Sequence, residues 1–244
     1  MNSTYFTELV KGFIQTLQSR REGVFQIDLR LRPYGAKGAL ASSLRAYKAY
    51  YSGDGDARQF ERLALVKQRP VAGNLDLAEQ VMAARGRFIY WDDPLDTDDI
   101  QHIRSRQASE LVKPTSVNVK HSLGGLVDIE YYVQASQISA GRRDRSVRGA
   151  NTLDAVRSLA EGGYIRASAA DEIRHSYSFL RMLIDALRVV RGNAKDLAVP
   201  DQHSPEFRYL AQRLRFESPG ELADAISDCM EYSRGVWDRE PVPA

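Results

Sequence analysis

The sequence predicts a mainly α-helical protein, a helical bundle preceded by a small β element. Past Ser52, apolar residues recur at three- or four-residue spacing in successive segments, which is the pattern of amphipathic helices. The loops between these segments are short, and short loops favour antiparallel neighbours in a bundle. Only residues 23–35 alternate between apolar and polar side chains as a strand does.

Composition sets the broad class. With 244 residues the chain can bury a sizeable core and could form one large or two small domains. Its net charge of +2 provides no overall basic field, so we expect no nucleic-acid partner. The single cysteine, Cys229, excludes an intrachain disulfide and a cysteine-based metal cluster. No apolar run is long enough to span a bilayer and the N-terminus does not read as a signal peptide, so we expect a cytoplasmic protein with no membrane partner.

The chain begins with a predicted helix over residues 4–19, followed by the predicted strand. In that strand Asp28, Arg30 and Arg32 share one face, and four apolar side chains share the other. Pro33 cannot continue a central ladder, so the strand ends there. Residues 38–41 are a candidate for a short returning strand, and Ser42-Ser43 then caps a helix rich in tyrosine.

Such a small β element cannot stand alone, because an isolated hairpin is marginal in water. The chain supplies no further strands after it. An exposed edge strand invites pairing with a second copy. We therefore expect either a homodimer through the sheet edge or a strained N-terminus.

The remainder of the chain is predicted to be helical, and we place a domain boundary between residues 56 and 57. Capping side chains mark where the helical segments begin, and glycine or proline marks where they end. The predicted helices cover residues 57–68, 74–91, 98–113, 126–140, 152–161, 167–191, 205–216 and 219–237.

Two interpretations of Asp28 remain open on spacing alone. It is either a solvated or salt-bridged residue of an amphipathic strand, or a metal-binding carboxylate whose neighbouring arginines contact phosphate. The Asp54-Gly55-Asp56 pair has the spacing that metal-dependent nucleotidyl transfer uses, but that use needs an apolar strand. Here the pair lies in a glycine-rich turn, which predicts a solvated loop.

Residues 120–134 form a second candidate constellation, in which two glycines precede an apolar helix that carries Asp128 and Glu130. A loop at a helix N-terminus can receive an anion, although the two carboxylates compete for that position. Two residues apart, they lie about 200° apart around the helix and cannot jointly hold one metal ion. The alternative is a close-packing loop with Asp128 as a first-turn residue that the helix dipole favours.

Three segments taken together resemble a known family. They are residues 28–35 (DLRLRPYG), 65–73 (LVKQRPVAG) and 120–134, which contains GGLVDIEY. Their sequences, order and separation resemble the bacterial glutamine synthetase adenylyltransferase/adenylyl-removing enzymes, over nearly the whole chain. The Leu-Val-Lys form of the second segment is more similar to the N-terminal, adenylyl-removing half of such an enzyme than to its C-terminal half.

The resemblance implies a nucleotidyltransferase domain of the DNA polymerase β type followed by a helical bundle. Residues 1–56 would then be a C-terminal remnant of the first domain and residues 57–240 the bundle. The implied reaction is transfer of AMP between ATP and a tyrosine of glutamine synthetase, or phosphorolytic removal of that AMP. The implied cofactors are Mg2+ (or Mn2+) and ATP or ADP. The implied partners are glutamine synthetase and a PII-type signal protein.

The resemblance also assigns positions that bind nucleotide or phosphate, and positions on the bundle that face the active-site cleft. The first group is Arg30, Arg32 and Lys120, and the second group is Asp128 and Glu130.

In this family Asp28 corresponds to the third of three carboxylates, which makes it a catalytic residue and a metal ligand. The other two come from a Gly-Ser…Asp-x-Asp strand that this sequence does not contain. One carboxylate does not organise a two-metal site, so we expect this chain alone to bind magnesium nucleotide weakly and to have no appreciable transfer activity. The alternative is a non-catalytic helical module that binds glutamine synthetase or a nitrogen signal protein.

Overall fold

The computed structural model describes residues 2–17, 27–90, 94–193 and 195–243, and these residues are mainly helical. The helices are α1 (Asn2–Leu17), α2 (Leu44–Tyr50), α3 (Gln59–Val66), α4 (Leu75–Ile89), α5 (Thr97–Leu111), α6 (Leu126–Ala140), α7 (Thr152–Glu161), α8 (Ala167–Arg191), α9 (Pro205–Arg213), α10 (Pro219–Arg234) and α11 (Val236–Arg239).

The predicted helices are confirmed over the described residues, and α6, α7 and α8 begin and end at the predicted residues. Residues 18–19 and 91, at the ends of two predicted helices, lie outside the described part of the chain. Side-chain caps explain several starts, because an N-cap oxygen satisfies a backbone N–H that has no partner inside the helix. The residues whose side chains accept such a bond include Ser43, Asn74, Asn151, Ser204 and Ser218.

The last predicted helix is divided at Gly235, and α11 is a separate single turn. Glycine is a poor helix residue and commonly ends helices. A Cβ at Gly235 would lie 2.7 Å from the guanidinium of Arg239, which folds back over the Tyr232 ring. The break lets Trp237 pack edge-on against Tyr132, with ring centroids 5.8 Å apart.

The predicted strand is wrong over its described half. Residues 27–30 have no regular structure, residues 31–34 form a bend and a turn, and Gly35–Lys37 is a single 3-10 turn. The predicted returning strand at 38–41 is likewise irregular, and residues 23–26 lie outside the described part of the chain. The physical reason is that a strand needs a partner, and the β-bridge found among the described residues joins Asn118 to Ala198 instead. The described residues therefore offer no sheet edge for the predicted homodimer.

The loop that replaces the strand is held by one arginine. The Arg32 guanidinium donates hydrogen bonds to the backbone carbonyls of Leu29, Ala36 and Gly38. These bonds close residues 29–38 into a compact turn without a β ladder. The predicted alternation of exposure holds from Ile27 to Arg30 but fails after it, because Leu31 is exposed and Arg32 is half-buried.

Two apolar cores meet at α6. The first packs α2 to α5 against Ala135 and Ile138 of α6, and the second packs the other side of α6 against α7 to α11. Twelve of the fifteen residues of α6 are buried, as expected for a helix covered on both sides. The first core contains tyrosines of α2 together with α3 and α4, so it includes residues from both sides of the boundary at 56/57, which stays a prediction.

None of the described helices has the length and apolar character that crossing a membrane requires.

Candidate functional site

The Gly124-Gly125 loop packs closely against α10. Gly124 has φ +85°, and a Cβ there would lie 2.2 Å from the carbonyl oxygen of Met230. The first N–H groups of α6 are already used, since Leu126 donates to the Val119 carbonyl and Val127 to that of Lys120. This supports the close-packing interpretation of the two glycines over an anion site at the helix N-terminus.

Asp128 is buried and paired with Arg104 of α5. The Arg104 Nε lies 2.7 Å from Oδ1, in ion-pair contact without hydrogen-bond alignment, and Nη2 donates to Oδ2 at 3.3 Å. The backbone N–H of Gly124 also donates to Oδ2. Burial raises the pKa of Asp128, and the Arg104 charge and the Gly124 N–H oppose that rise.

Arg104 also fixes the loop that carries Lys120. Its Nη2 donates to the carbonyls of His121 (3.1 Å) and Ser122 (2.6 Å). With a side chain only 4% exposed, Arg104 joins α5, the 120–125 loop and α6 at a single point. In this geometry Asp128 anchors the loop.

Glu130 lies on the other side of α6 and pairs with a different cation. The Lys67 Nζ lies 2.6 Å from Glu130 Oε1, and both side chains are partly exposed. Lys67 follows α3 directly, where the carbonyls of Leu65 and Val66 accept bonds from the buried Arg85. The second and third motif segments therefore touch through this ion pair, and Asp128 and Glu130 do not act on one shared partner.

Lys120 lies in the same region. Its backbone N–H donates to the Asn118 side chain, and within the described part of the chain its ammonium group has no hydrogen-bond or ion-pair partner. The neighbouring His121 is half-buried. Burial, followed by the charges of Lys120 and Arg104, lowers the pKa of His121 to about 4.

Asp28 lines a separate groove of about 560 Å3, between the 28–35 loop and the N-terminal half of α3. Its carboxylate is held by Arg30, with Nη2 2.6 Å from Oδ2 and both side chains more than half exposed. The bonds from the Arg30 side chain and backbone lower the pKa of Asp28. In the described geometry Asp28 is thus salt-bridged, and its role as a metal ligand stays a prediction.

The carboxylates of the described residues do not fit a complete two-metal site. No group of three or more His, Cys, Asp or Glu side chains within the described ranges could hold a metal ion. Asp56 and Glu61 line the same groove as Asp28, but each accepts a hydrogen bond from a tyrosine, Tyr34 and Tyr50 respectively.

Helix α3 connects the groove to the Lys67–Glu130 pair. Glu61 and Ala64 line the groove, and Lys67 at the other end contacts Glu130. Lys67 follows Glu61 by six positions, which is about 9 Å along a helix at 1.5 Å per residue. The structure therefore brings the three motif segments to one short helix without joining all the predicted site residues in a single pocket.

Several site residues were missed by sequence reasoning. Asp56 lies in an exposed loop, as predicted, and its hydrogen bond with Tyr34 adds a contact that the sequence does not reveal. The sequence alone did not place Tyr34 or Arg58 in the groove. Arg104 carried no signal, because its partner depends on how α5 crosses α6. A useful signal for Tyr34 was its place in the Arg-Pro-Tyr-Gly turn that ends the first motif.

Two family models match the chain. Residues 1–84 match glutamate-ammonia ligase adenylyltransferase, and residues 98–234 match GlnD PII-uridylyltransferase. The first match ends within α4 and the second begins within α5, so residues 85–97 lie in neither.

Curated relatives agree with the first of these models. Bifunctional glutamine synthetase adenylyltransferase/adenylyl-removing enzymes of Hahella chejuensis and Rhizobium meliloti are 36% and 32% identical, over 77% and 91% of this chain. The enzyme of Corynebacterium efficiens is 32% identical over 90% of it.

The matched regions make up 20%, 23% and 21% of those three relatives, so the chain spans about a fifth of their length. The chain therefore belongs to the family of the bifunctional glutamine synthetase adenylyltransferase/adenylyl-removing enzymes.

Proposed function

We propose that this chain forms part of an enzyme that transfers AMP to, or phosphorolytically removes it from, a tyrosine of glutamine synthetase. The observation that carries this proposal is the meeting of the three motif segments at α3. Asp28 lies in the groove beside one end of that helix, and Lys67 contacts Glu130 at the other end. The family relationship supplies the reaction and the substrate protein.

The described side chains take distinct parts in this proposal. Arg30 orients the Asp28 carboxylate, and Arg32 shapes the loop that carries both. Lys120, whose ammonium group is free among the described residues, is suited to a phosphate group. Glu130 and Lys67 hold the end of α3 against α6, beside the 120–125 loop.

ATP or ADP and Mg2+ or Mn2+ belong to the same proposal. The resemblance places two further carboxylates on an Asp-x-Asp strand, and Asp28 would complete that set. Because the described carboxylates alone do not fit a metal site, we assign no step to a metal ion. For the same reason we expect no appreciable AMP transfer by this chain alone. A cytoplasmic location follows from the substrate protein.

A second candidate function is a non-catalytic helical module that binds glutamine synthetase or a PII-type signal protein. Two observations favour it. The Asp28 carboxylate is already ion-paired with Arg30, and residues 98–234 match the model of the PII-uridylyltransferase GlnD. It differs from the main proposal in predicting binding without any contribution of Asp28 to transfer.

The test measures release and incorporation of labelled AMP on glutamine synthetase. The chain is assayed alone and joined to a segment that carries the Gly-Ser…Asp-x-Asp strand. The main proposal predicts little transfer by the chain alone and substantial transfer by the joined protein. Tight binding of glutamine synthetase with no transfer in either form supports the second candidate. If the chain alone transfers AMP as fast as the joined protein, the expectation of inactivity is contradicted.

A further inference from the structure

Helix α1 presents a stripe of exposed apolar side chains. Five large residues of this helix are between 45% and 65% exposed, and they lie within about 120° of its circumference. Such a stripe usually faces a protein core. Within the described part of the chain, however, neither apolar core includes a residue of α1, and no other helix packs extensively against it. The stripe residues are Tyr5, Phe6, Leu9, Phe13 and Leu17.

Gly12 lies at the edge of this stripe. A Cβ at Gly12 would meet no atom within 4 Å, so no described neighbour requires the missing side chain. Glycine inside a helix weakens that helix relative to alanine. The Thr16 hydroxyl donates to the Gly12 carbonyl at 2.8 Å and needs no further partner. A small residue beside an apolar ridge leaves the room that a closely packed second helix needs.

The stripe is complementary to a second copy of itself. Four of its residues are spaced by four positions and form one ridge, and contact between two such ridges is the commonest helix packing in globular proteins. The ridge, which runs from Tyr5 to Leu17, is centred on residue 11. In an antiparallel pair that crosses there, Leu9 faces the partner's Phe13, and two-fold symmetry repeats that contact.

The charges of α1 favour an apolar protein partner. Its two charged side chains, Glu8 and Lys11, lie outside the stripe and pair with each other, with Nζ 2.7 Å from Oε1. The helix therefore has no excess of positive charge to attract an anionic lipid surface. An apolar stripe without charges needs an equally uncharged face, and a second copy of α1 supplies one.

The exposed area is sufficient for a weak dimer. At roughly 100 Å2 for each half-exposed large side chain, the five residues provide on the order of 500 Å2 in each copy. Two copies together would bury about 1,000 Å2, which is the lower limit of a specific interface. An exposed apolar patch of this size commonly marks an interaction surface.

We propose that α1 pairs with α1 of a second copy of this chain in an antiparallel two-fold dimer. The ridge of one copy lies in the groove beside Gly12 of the other, and the five apolar side chains are buried in both copies. This surface differs from the sheet edge through which a homodimer was expected, and the inference does not depend on the proposed function.

The test measures the oligomeric state of the full chain by analytical ultracentrifugation between about 1 and 200 µM, a range that suits a weak interface. Wild type is expected to change from monomer to dimer across this range. Leu9→Glu places an unpaired charge in the interface of both copies and should weaken dimerisation at least about 100-fold. Gly12→Ala should weaken dimerisation about tenfold, because the added methyl group fills the groove.

Circular dichroism separates the two effects of Gly12→Ala. The substitution should raise the helix content while the dimer becomes weaker, since alanine favours the helix and obstructs the partner. A glycine with no part in the interface would give the first effect without the second, and that result would overturn the placement of the partner.

Two variants serve as controls for the added charge. Gln15→Glu introduces the same charge on the other side of α1 and should leave dimerisation unchanged. Leu111→Glu replaces a leucine at the end of α5 that is 55% exposed, against 54% for Leu9, and should also have no effect.

The antiparallel register is tested by disulfide crosslinking under oxidation. A mixture of Leu9→Cys and Phe13→Cys should give more crosslinked dimer than either variant alone, because position 9 of one copy faces position 13 of the other. More crosslinking within each separate variant would show parallel pairing and overturn the proposed arrangement.

Four further results would overturn the proposal. The first is a monomer at every concentration, and the second is a dimer that Leu9→Glu does not weaken. The third is a monomer that binds vesicles of neutral phosphatidylcholine, which would make a membrane surface the occupant of the stripe. The fourth is a joined protein that stays monomeric where the chain alone dimerises, which would make the joined segment the occupant. None of these results depends on AMP transfer, so the outcome is separable from the proposed function.

Discussion

The Lys67 Nζ lies 2.6 Å from the Glu130 Oε1, and this ion pair joins residues 63 positions apart in the chain. It connects the end of α3 with the second turn of α6. The other end of α3 lines the groove that contains Asp28. The pair therefore fixes the helix through which the two halves of the candidate site are related.

Removing one partner of this pair should destabilise the protein moderately. Lys67→Met leaves Glu130, whose side chain is 18% exposed, without its cation. We expect a loss of about 1–2 kcal/mol in the free energy of unfolding, between the values for surface and buried pairs. Urea denaturation measures it. The exposed Arg106–Glu110 pair is the matched control, and Glu110→Gln should cost less than about 0.5 kcal/mol. Equal effects of the two variants would contradict this account.

The buried Arg104–Asp128 pair should matter more. Both side chains are less than 10% exposed, so Arg104→Met leaves a buried carboxylate uncompensated. We expect a loss of about 3 kcal/mol or more, and earlier proteolytic cleavage in the 114–125 loop. The double variant Arg104→Met/Asp128→Asn should recover part of that loss. Arg157→Met, from the exposed pair with Asp154, should stay within about 0.5 kcal/mol of wild type. A loss no larger than that of Arg157→Met would show that the 120–125 loop does not depend on Arg104.

The free energy of unfolding should decrease as the pH is lowered, because His121 is buried. Burial and nearby cations lower its folded-state pKa from 6.5 to about 4, so between these values the unfolded chain binds a proton that the folded chain does not. The contribution of His121 is complete above pH 6.5 and is lost as pH falls toward 4. Urea denaturation between pH 7.5 and 4.5 should give a shallower decline for His121→Gln than for wild type. His203→Gln, at an exposed site, controls for loss of a histidine. Identical slopes for wild type and His121→Gln would contradict the shifted pKa.

The helices were predictable because their signals are local. Gly125 and Gly141 flank α6, and Asn151 caps α7, so periodicity and caps agreed on their bounds. The conformation of the described residues 27–35 was not predictable in the same way, because alternation of residue types does not identify a partner strand, and without one the exposed Leu31 and half-buried Arg32 depart from the pattern. Here the Arg32 guanidinium takes the place of a ladder.

A substitution at Arg215, just after α9, should stabilise the protein. Arg215 has φ 63°, the Phe216 N–H donates to the Ala211 carbonyl, and the Arg215 N–H donates to the Gln212 carbonyl. This is the helix-ending motif in which glycine is preferred at the left-handed position. Arg215→Gly should raise stability by about 0.5–1 kcal/mol, and Arg215→Val should lower it. Thermal denaturation of the two variants measures the difference, and the reverse order would contradict the assignment.

The motifs single out residues for the candidate site, whose roles stay predictions, but they do not reveal the contacts between them. Asp28, Lys120 and Glu130 were identified from their motifs, but the groove depends on how the 28–35 loop meets α3. The pairing of Lys67 with Glu130 depends on the packing of α3 against α6, which no spacing within either segment encodes. Tyr34 and Arg58 were missed for the same reason, since their proximity arises from tertiary structure.

The central claim is that Asp28 takes part in AMP transfer on glutamine synthetase. The most direct measurement is the rate of AMP transfer by the joined protein carrying Asp28→Asn, compared with Asp54→Asn. Asp54 is an exposed carboxylate outside the Asp28 groove. The account predicts a loss on the order of 100-fold or more for Asp28→Asn and a change of less than about twofold for Asp54→Asn. Equal rates for the two variants would contradict it.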